Sequence, residues 1–261
     1  MKLAAAPISW GVCEVPGWGF QMSPRRVLAE ASELGFAAIE AGPPGYLDGG
    51  SPLRILSGFI AADDLGPVER QAAWLQAHGA ELLVLAAAAG DDGYEQRSEP
   101  DSQTWRAIAR VQDIADEHGL GFAVHPHFGS RIETQAHVRR LLRVTTAGLC
   151  LDTGHLLLGG IDPLEIPAAR VALVHLKDVD GRLAGAVRER RLGYREAVRQ
   201  GLFRPLGDGD ARIGEIVRSL FKRGYGGWYV LEQDAVLDAE PPPGQGPLSD
   251  VRRSLEFVLR V

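Results

Sequence analysis

Short apolar segments alternate with helical segments along the whole chain, and this alternation restricts the fold more than any other feature of the sequence. Each apolar segment is bounded by glycine or charged residues, which is typical of buried strands in a parallel sheet. The predicted strands are Leu3–Trp10, Phe36–Ile39, Ser57–Ala61, Leu82–Ala87, Phe122–Val124, Leu149–Leu151, Val171–Leu176 and Trp228–Leu231. Strict alternation of strands and helices predicts a protein of the α/β class.

The segments that connect these strands show helical spacing and helix-end signals. Ser23 and Pro24 are suited to the N-cap and first position of a helix, and Gly35 is suited to end it. The predicted helices are Pro24–Leu34, Leu65–His78, Ser102–His118, Thr134–Thr145, Pro163–Ala169, Tyr194–Gln200, Ile213–Arg223 and Ser249–Leu259.

Two architectures contain such an alternation, a closed barrel and an open doubly wound sheet. The chain has 261 residues, and a (β/α)8 barrel typically takes about 250. A dinucleotide-binding open sheet needs a Gly-x-Gly-x-x-Gly turn that opens a helix after its first strand, and the segment from Gly11 to Gly19 does not supply one. The sequence therefore predicts an α/β protein with a single (β/α)8 TIM-barrel domain over residues 1–261.

Composition excludes several classes of function. A net charge of −6 gives no basic surface for nucleic acid, and no apolar run reaches the length of a bilayer span. The segment Met1–Ile8 is too short in its apolar part for a signal peptide. Cys13 and Cys150 are far apart, and Cys150 reads as a small core residue. We expect a cytoplasmic protein without nucleic-acid or membrane partners.

Residues able to bind a metal stand where four of the predicted strands end: His125, Asp152, His175 and Glu232. Each of them alone is readily explained as a structural residue. In a barrel, however, the carboxyl ends of the strands converge on one mouth, which favours a common site. Imidazole and carboxylate ligands suit a divalent ion such as Mn²⁺, Co²⁺, Zn²⁺ or Mg²⁺.

Four sequence pieces carry a resemblance to a known family: Asp152-Thr153-Gly154-His155, His175-Leu176-Lys177-Asp178, Leu206-Gly207-Asp208-Gly209, and Gly224-Tyr225-Gly226-Gly227-Trp228 with Glu232. With them the chain resembles the xylose-isomerase-like TIM-barrel superfamily of sugar isomerases, epimerases, endonuclease IV and inosose dehydratases. Within it, His125-Pro126-His127-Phe128-Gly129 and the segment Trp228–Asp234 are most similar to the inosose dehydratases.

The resemblance implies a metal site. Epimerases and isomerases of the superfamily hold their ion with Glu, Asp, His and Glu, and here Asp152, His175 and Glu232 match the last three. The pair His125 and His127 replaces the first glutamate. Depth along the strand favours His125 as the ligand, with His127 reaching the metal or the substrate, and the reverse assignment stays open. This departure argues against an epimerase that uses two opposed glutamates as acid and base.

Three more residues are candidates for proton transfer in such a site. His127 and His155 are the candidate bases, and Lys177 is the candidate acid or enolate stabiliser. A salt bridge from Lys177 to Asp178 or Asp180 is the competing structural explanation.

The predicted mouth also contains candidate substrate contacts. Glu40 ends the second predicted strand, and Trp10 and Trp18 belong to the first loop region, where aromatic rings suit the apolar faces of sugars. Simple packing of the long loop explains the two tryptophans equally well.

The function that these observations favour is the dehydration of a keto-polyol such as inosose by a metal-dependent lyase, through an enediolate. A keto-sugar isomerase or epimerase on the same scaffold is the second reading, and a non-catalytic polyol-binding barrel is the third. The predicted partner is a small polyol or keto-sugar, and a homo-oligomer is compatible with the sequence. Endonuclease IV is disfavoured because no histidine follows Asp178.

Overall fold

The structure is a computed structural model that describes residues 1–61, 65–87, 94–95 and 98–261. Its strands are β1 (Lys2–Ala5), β2 (Ala38–Ile39), β3 (Arg54–Ile55), β4 (Ser57–Ala61), β5 (Leu82–Ala86), β6 (Gly121–Val124), β7 (Gly148–Asp152), β8 (Val171–Leu176), β9 (Asp178–Val179), β10 (Phe203–Arg204) and β11 (Trp228–Leu231). Its α-helices are α1 (Pro24–Glu33), α2 (Leu65–Ala77), α3 (Ser102–Glu117), α4 (Gln135–Val144), α5 (Thr153–Leu158), α6 (Gly181–Arg188), α7 (Tyr194–Arg199), α8 (Ile213–Lys222) and α9 (Pro247–Val258). None of the helices in these ranges is both long and apolar enough to cross a bilayer.

Nine parallel strands form one sheet, and that sheet closes on itself. The strand order is β3-β2-β1-β11-β8-β7-β6-β5-β4, so β3 and β4 stand at its two ends. Only Leu56 separates β3 from β4 in the chain, and its backbone links the two ends of the sheet. Its N–H donates to Ile39 O in β2 at 2.8 Å, and its carbonyl accepts from the N–H of Glu81, just before β5, at 2.8 Å. The third barrel strand is thus one segment interrupted at Leu56. The predicted TIM barrel is confirmed.

The interior of the barrel contains small and medium apolar side chains. They form a core separate from the larger one between strands and helices: Ala4, Ala6, Ala38, Leu56, Leu82, Val84, Ala123, Cys150, Leu173 and Val230. Side chains two positions apart in a strand point to the same face. Residues two positions after five of these core residues therefore point into the same lumen at the carboxyl end: Glu40, His125, Asp152, His175 and Glu232.

Local structure differs from the predicted elements in two places. The first strand ends at Ala5, and Pro7–Trp10 is a 3-10 helix, because Pro7 has no N–H for a sheet and is suited to the first position of a helix. The predicted helix Pro163–Ala169 is instead two 3-10 turns, since Pro167 precedes the second of them as its N-cap.

Several elements were not predicted at all. Helix α5 begins directly after Asp152, α6 follows β9, and β9 pairs with β10 in a two-stranded antiparallel sheet. These pieces are short and lie beyond the carboxyl ends of β7 and β8, where they surround the mouth of the barrel. Their brevity removes the periodicity on which a sequence prediction depends.

The side chain of Asp178 forms hydrogen bonds with the loop that follows this two-stranded sheet. Its buried carboxylate accepts four backbone N–H groups, from Val179 at 3.0 Å, Gly207 at 2.8 Å, Gly209 at 3.1 Å and Ala211 at 2.9 Å. Through these four hydrogen bonds the carboxylate holds the loop from Gly207 to Ala211 against β9.

Replacing Asp178 with alanine is expected to lower the free energy of unfolding by about 3 kcal/mol, because four backbone N–H groups lose their acceptor and two of them belong to the buried residues Val179 and Ala211. Asp180→Ala is the matched control: that side chain caps α6 through Leu183 N at 3.0 Å, and loss of an N-cap costs about 1 kcal/mol. Urea unfolding of both variants measures the difference. Equal losses would show that the loop does not depend on Asp178.

Candidate active site

Polar side chains at the carboxyl ends of the barrel strands meet in the lumen. His125 Nε2 lies 3.3 Å from Asp152 Oδ2, and His175 Nδ1 lies 3.7 Å from the same oxygen. His175 Nδ1 is also 2.5 Å from Glu232 Oε2. The structure thus brings together the four residues that the sequence singled out as candidate ligands.

Three buried atoms of this cluster have no hydrogen-bond partner: His125 Nδ1, His175 Nδ1 and Glu232 Oε2. An unpartnered buried nitrogen beside an unpartnered carboxylate oxygen is costly unless a cation or proton lies between them. The atoms of Glu40, His175 and Glu232, and those of His125, Asp152 and His155, each lie within 4.8 Å of one another. Nitrogen and oxygen donors in this mixture fit a divalent transition metal.

The ammonium group of Lys177 lies among three carboxylates, two of which belong to this cluster. Its Nζ lies 2.7 Å from Asp234 Oδ1, 2.8 Å from Glu232 Oε1 and 3.5 Å from Asp152 Oδ2. Burial alone would lower the pKa of Lys177, but these carboxylates outweigh it and raise the pKa well above its usual value. The competing explanation, a salt bridge to Asp178 or Asp180, is therefore not what the structure shows.

The carboxylates respond to their surroundings in two ways. Burial favours protonation of Glu232, yet the charges of Lys177 and His175 lower its pKa, and the charge of Lys177 does the same for Asp152. The pKa of Asp234 is raised, chiefly by burial. Glu232 and Asp152 consequently stay ionised, and the site has an excess of negative charge.

The two histidines proposed as bases lie against each other, with ring centroids 3.6 Å apart. His127 Nδ1 lies 2.8 Å from the carbonyl oxygen of Phe128, so Nδ1 carries the proton and Nε2 is the unprotonated nitrogen. His155 Nε2 lies 3.2 Å from Lys177 Nζ. Burial, the neighbouring imidazole and Lys177 lower the pKa of both rings, which keeps them neutral.

A cavity of about 520 Å³ opens above the cluster. Polar and aromatic residues of several loops and strands line it, among them Glu14, Trp18, Glu40, Phe59, Tyr94, His125, His127, His175, Tyr194, Glu232 and Asp234. Asp152, His155 and Lys177 are buried and are not among its lining residues. Of the candidate proton-transfer residues, only His127 faces the cavity.

The two tryptophans predicted to contact substrate occupy different places. Trp18 lines the cavity, and its indole N–H donates to Ala235 O at 2.9 Å. Trp10 is wholly buried, and its indole N–H donates to Glu30 Oε2 at 2.8 Å on helix α1. The structure does not bring Trp10 to the cavity, because its polar atom is already satisfied within the core.

Sequence reasoning missed a second set of residues around the cavity. Tyr194 donates its phenolic proton to Asp234 Oδ2 at 2.5 Å, and Tyr94 donates to Glu14 Oε1 at 2.6 Å. Asp234 could have been found, since it continues the two-residue spacing after Glu232. The two tyrosines come from loop and helix segments with no such pattern.

Comparison with known proteins identifies the family. A family model described as the xylose isomerase-like TIM barrel matches residues 68–259. The chain belongs to this family. The resemblance inferred from the sequence is thereby confirmed.

Relatives in the family match the chain over its full length. The inosose dehydratase of Geobacillus kaustophilus is 28% identical over 295 residues, covering 100% of this chain and 94% of the relative. The rhizopine catabolism protein MocC of Rhizobium meliloti is 31% identical over 300 residues, covering 100% and 88%. Among solved structures, that of the IolI protein with a binding zinc atom has a TM-score of 0.69 at 13% identity, covering 100% and 97%. This last similarity concerns the fold alone.

Proposed function

We propose that the protein is a divalent-metal-dependent lyase that removes water from a keto-polyol, with inosose as the first substrate to test. The observation that carries the proposal is the convergence of His125, Asp152, His175 and Glu232 at the cavity, where the unpartnered His175 Nδ1 and Glu232 Oε2 face one another. The full-length relative that is named an inosose dehydratase supports the choice of reaction.

The cavity supports a small uncharged substrate. Its volume of about 520 Å³ lies within the usual range for small-molecule sites. The charged side chains that line it, within the described residues, are acidic: Glu14, Glu40, Glu232 and Asp234. Such a lining repels phosphate and carboxylate groups, while hydroxyl groups can donate hydrogen bonds to it.

Asp152, His175 and Glu232 would hold the ion, with His125 as the fourth ligand. His125 is favoured over His127 because its Nε2 lies 3.3 Å from Asp152 Oδ2, an oxygen of the proposed ligand set. When bound, a divalent ion supplies Lewis-acid polarisation of the substrate carbonyl, which acidifies the adjacent C–H.

His127 is the base that the geometry favours. Its ring lines the cavity, and the hydrogen bond to Phe128 O leaves Nε2 free to accept a proton from substrate carbon. His155 is buried behind His127 and beside Lys177 and does not line the cavity, so it supports the arrangement without touching the substrate.

The proton for the departing hydroxyl would come from the Tyr194–Asp234 pair rather than from Lys177. Both members of the pair line the cavity and share a hydrogen bond of 2.5 Å. Lys177 is 1% exposed and directs its ammonium to Asp234 and Glu232, which fixes the position of both carboxylates. We therefore assign Lys177 a positioning role.

An epimerase is the second candidate, and the site supports it less well. Epimerisation with two opposed carboxylates needs a second glutamate across the substrate from Glu232, but His125 stands at that strand end. Glu232 itself is engaged by Lys177 and His175. A barrel that only binds polyols would not need to keep this set of buried charged groups together, since burying them is costly.

The test is to incubate the protein, loaded with Mn²⁺ or Co²⁺, with inosose in deuterated water. We expect the absorbance of an unsaturated dione product to appear, and to be lost after treatment with a chelator. Exchange of deuterium into inosose without loss of water would contradict the lyase and favour the epimerase. Binding without exchange or water loss would favour the non-catalytic barrel.

Replacing Trp10 with phenylalanine is expected to leave KM for inosose within about twofold of its original value, because the ring lies in the core. The free energy of unfolding should fall by about 1 kcal/mol, since Glu30 loses a buried hydrogen-bond donor. Steady-state kinetics and urea unfolding measure the two effects. A Trp18→Phe variant is the comparison, because Trp18 lines the cavity. A larger change in KM for Trp10→Phe than for Trp18→Phe would show that Trp10 contacts the substrate.

A further inference from the structure

Glu40 and His175 contact each other across the lumen of the barrel. Glu40 follows β2 and His175 belongs to β8, and two strands, β1 and β11, lie between them in the sheet. His175 Nε2 lies 3.1 Å from Glu40 Oε1, and both side chains are buried. This contact is not needed to close the barrel, because each strand already has its neighbours in the sheet.

We propose that Glu40 is a positioning residue that fixes the tautomer and direction of His175 for metal binding. The inference rests on the proposed metal site and adds to it the residue that orients one of its ligands. In the metal-bound protein Nε2 would keep its proton and donate it to Glu40. Nδ1, which faces Glu232 and Asp152, would give up its proton and serve as the ligand atom.

The distances around the imidazole support this assignment. Nδ1 lies 2.5 Å from Glu232 Oε2 and 3.7 Å from Asp152 Oδ2, and it has no hydrogen-bond partner. Nε2 faces away from these oxygens and toward Glu40. A metal-binding histidine usually donates its other ring N–H to a carboxylate or carbonyl, which raises its basicity and fixes the ring.

Glu40 is itself held in place. Its Oε1 accepts the hydroxyl proton of Ser57 at 2.6 Å, and its backbone N–H donates to Ala5 O at 2.9 Å. Ser57 is wholly buried at the start of β4. The oxygen that faces His175 therefore has a fixed position, as an orienting group requires.

A competing arrangement uses the same three residues differently. Glu40, His175 and Glu232 could hold an ion themselves, since their ligand atoms lie within 4.8 Å of one another. His175 would then bind through Nε2 and Glu40 would be a direct ligand. The two arrangements differ in which nitrogen of His175 is bound, and this can be measured.

The experiment compares zinc-loaded protein with Glu40 variants, without substrate. In ¹⁵N-histidine NMR spectra of the original protein, we expect His175 bound through Nδ1 with a proton on Nε2. Glu40→Ala should weaken zinc affinity by about 10- to 100-fold, the range for loss of an outer-shell partner. Glu40→Gln, which keeps an acceptor oxygen, should recover most of that loss. Zinc affinity is measured by competition with a chelator.

Glu14→Gln is the control for charge alone. It removes a carboxylate from the same cavity, but Glu14 contacts Tyr94 and not His175. Its zinc affinity should stay within about threefold of the original value, as for a charge without direct contact to the ion or its ligands. Circular dichroism confirms that each variant is folded, and if Glu40→Ala is not, the NMR assignment in the original protein decides.

Three results would overturn the inference: His175 bound through Nε2, an equal loss of affinity in Glu40→Gln and Glu40→Ala, or no zinc binding by the original protein. Because no substrate is present, the outcome is separate from that of the proposed reaction. Zinc binding as expected, together with no loss of water from inosose, would support the proposed role of Glu40 and contradict the proposed dehydratase activity.

Discussion

Replacing Asp152 with asparagine is expected to abolish functional metal binding. Asp152 is wholly buried, and its Oδ2 faces both His125 and His175. Asparagine keeps an oxygen to accept from His155 N, which Asp152 Oδ1 does at 2.8 Å to cap α5, but it loses the negative charge. Affinity should fall more than about a hundredfold, beyond the range for an outer-shell partner. Dehydration of inosose should fall about a thousandfold, since Lewis-acid polarisation contributes several kcal/mol.

Asp162→Asn is the matched control for this variant. Asp162 also caps a short helical turn, by accepting from Leu164 N at 3.0 Å, and it pairs with Arg212 far from the cavity cluster. Calorimetric titration with Mn²⁺ and measurement of bound metal compare the two variants. Metal binding by Asp152→Asn at the original affinity would contradict the proposed ligand set.

The sequence predicted the floor of this site because the floor continues a regular pattern. Strands place every second residue on the lumen, so His125, Asp152 and Glu232 follow core residues at fixed spacing. The same reasoning predicted the barrel, since apolar strands bounded by glycine recur throughout the chain. Both the barrel and the floor of the site depend on the regular spacing of residues within single strands, and such spacing is visible in a sequence.

The walls of the cavity could not be predicted in this way. Tyr194 reaches the cavity from α7, whose first N–H groups donate to the carboxylate of Glu95, 99 residues earlier in the chain. Trp10 looked like a mouth residue, yet a hydrogen bond to Glu30 places it in the core. Both outcomes depend on tertiary contacts between irregular segments, for which the sequence offers no periodic signal.

Replacing His127 with asparagine is expected to remove the base while the metal site stays intact. The amide of asparagine can occupy the place of Nδ1 and donate to Phe128 O, which His127 contacts at 2.8 Å, but it has no counterpart of Nε2. Loss of a general base costs about 10²- to 10⁴-fold in rate. We therefore expect kcat for inosose dehydration to fall in that range, with Mn²⁺ affinity little changed because Asp152, His175 and Glu232 remain.

Deuterium exchange separates this role from that of His155, the other candidate base. In deuterated water, His127→Asn should no longer exchange the C–H beside the substrate carbonyl, because it lacks the Nε2 that is proposed to take that proton. His118→Asn, a change in a half-buried histidine that contacts Gln76 at 2.9 Å outside the cavity lining, is the control and should exchange normally. Exchange that persists in His127→Asn but disappears in His155→Asn would show that His155, which does not line the cavity, is the base. It would then have to act through Lys177, 3.2 Å from its Nε2.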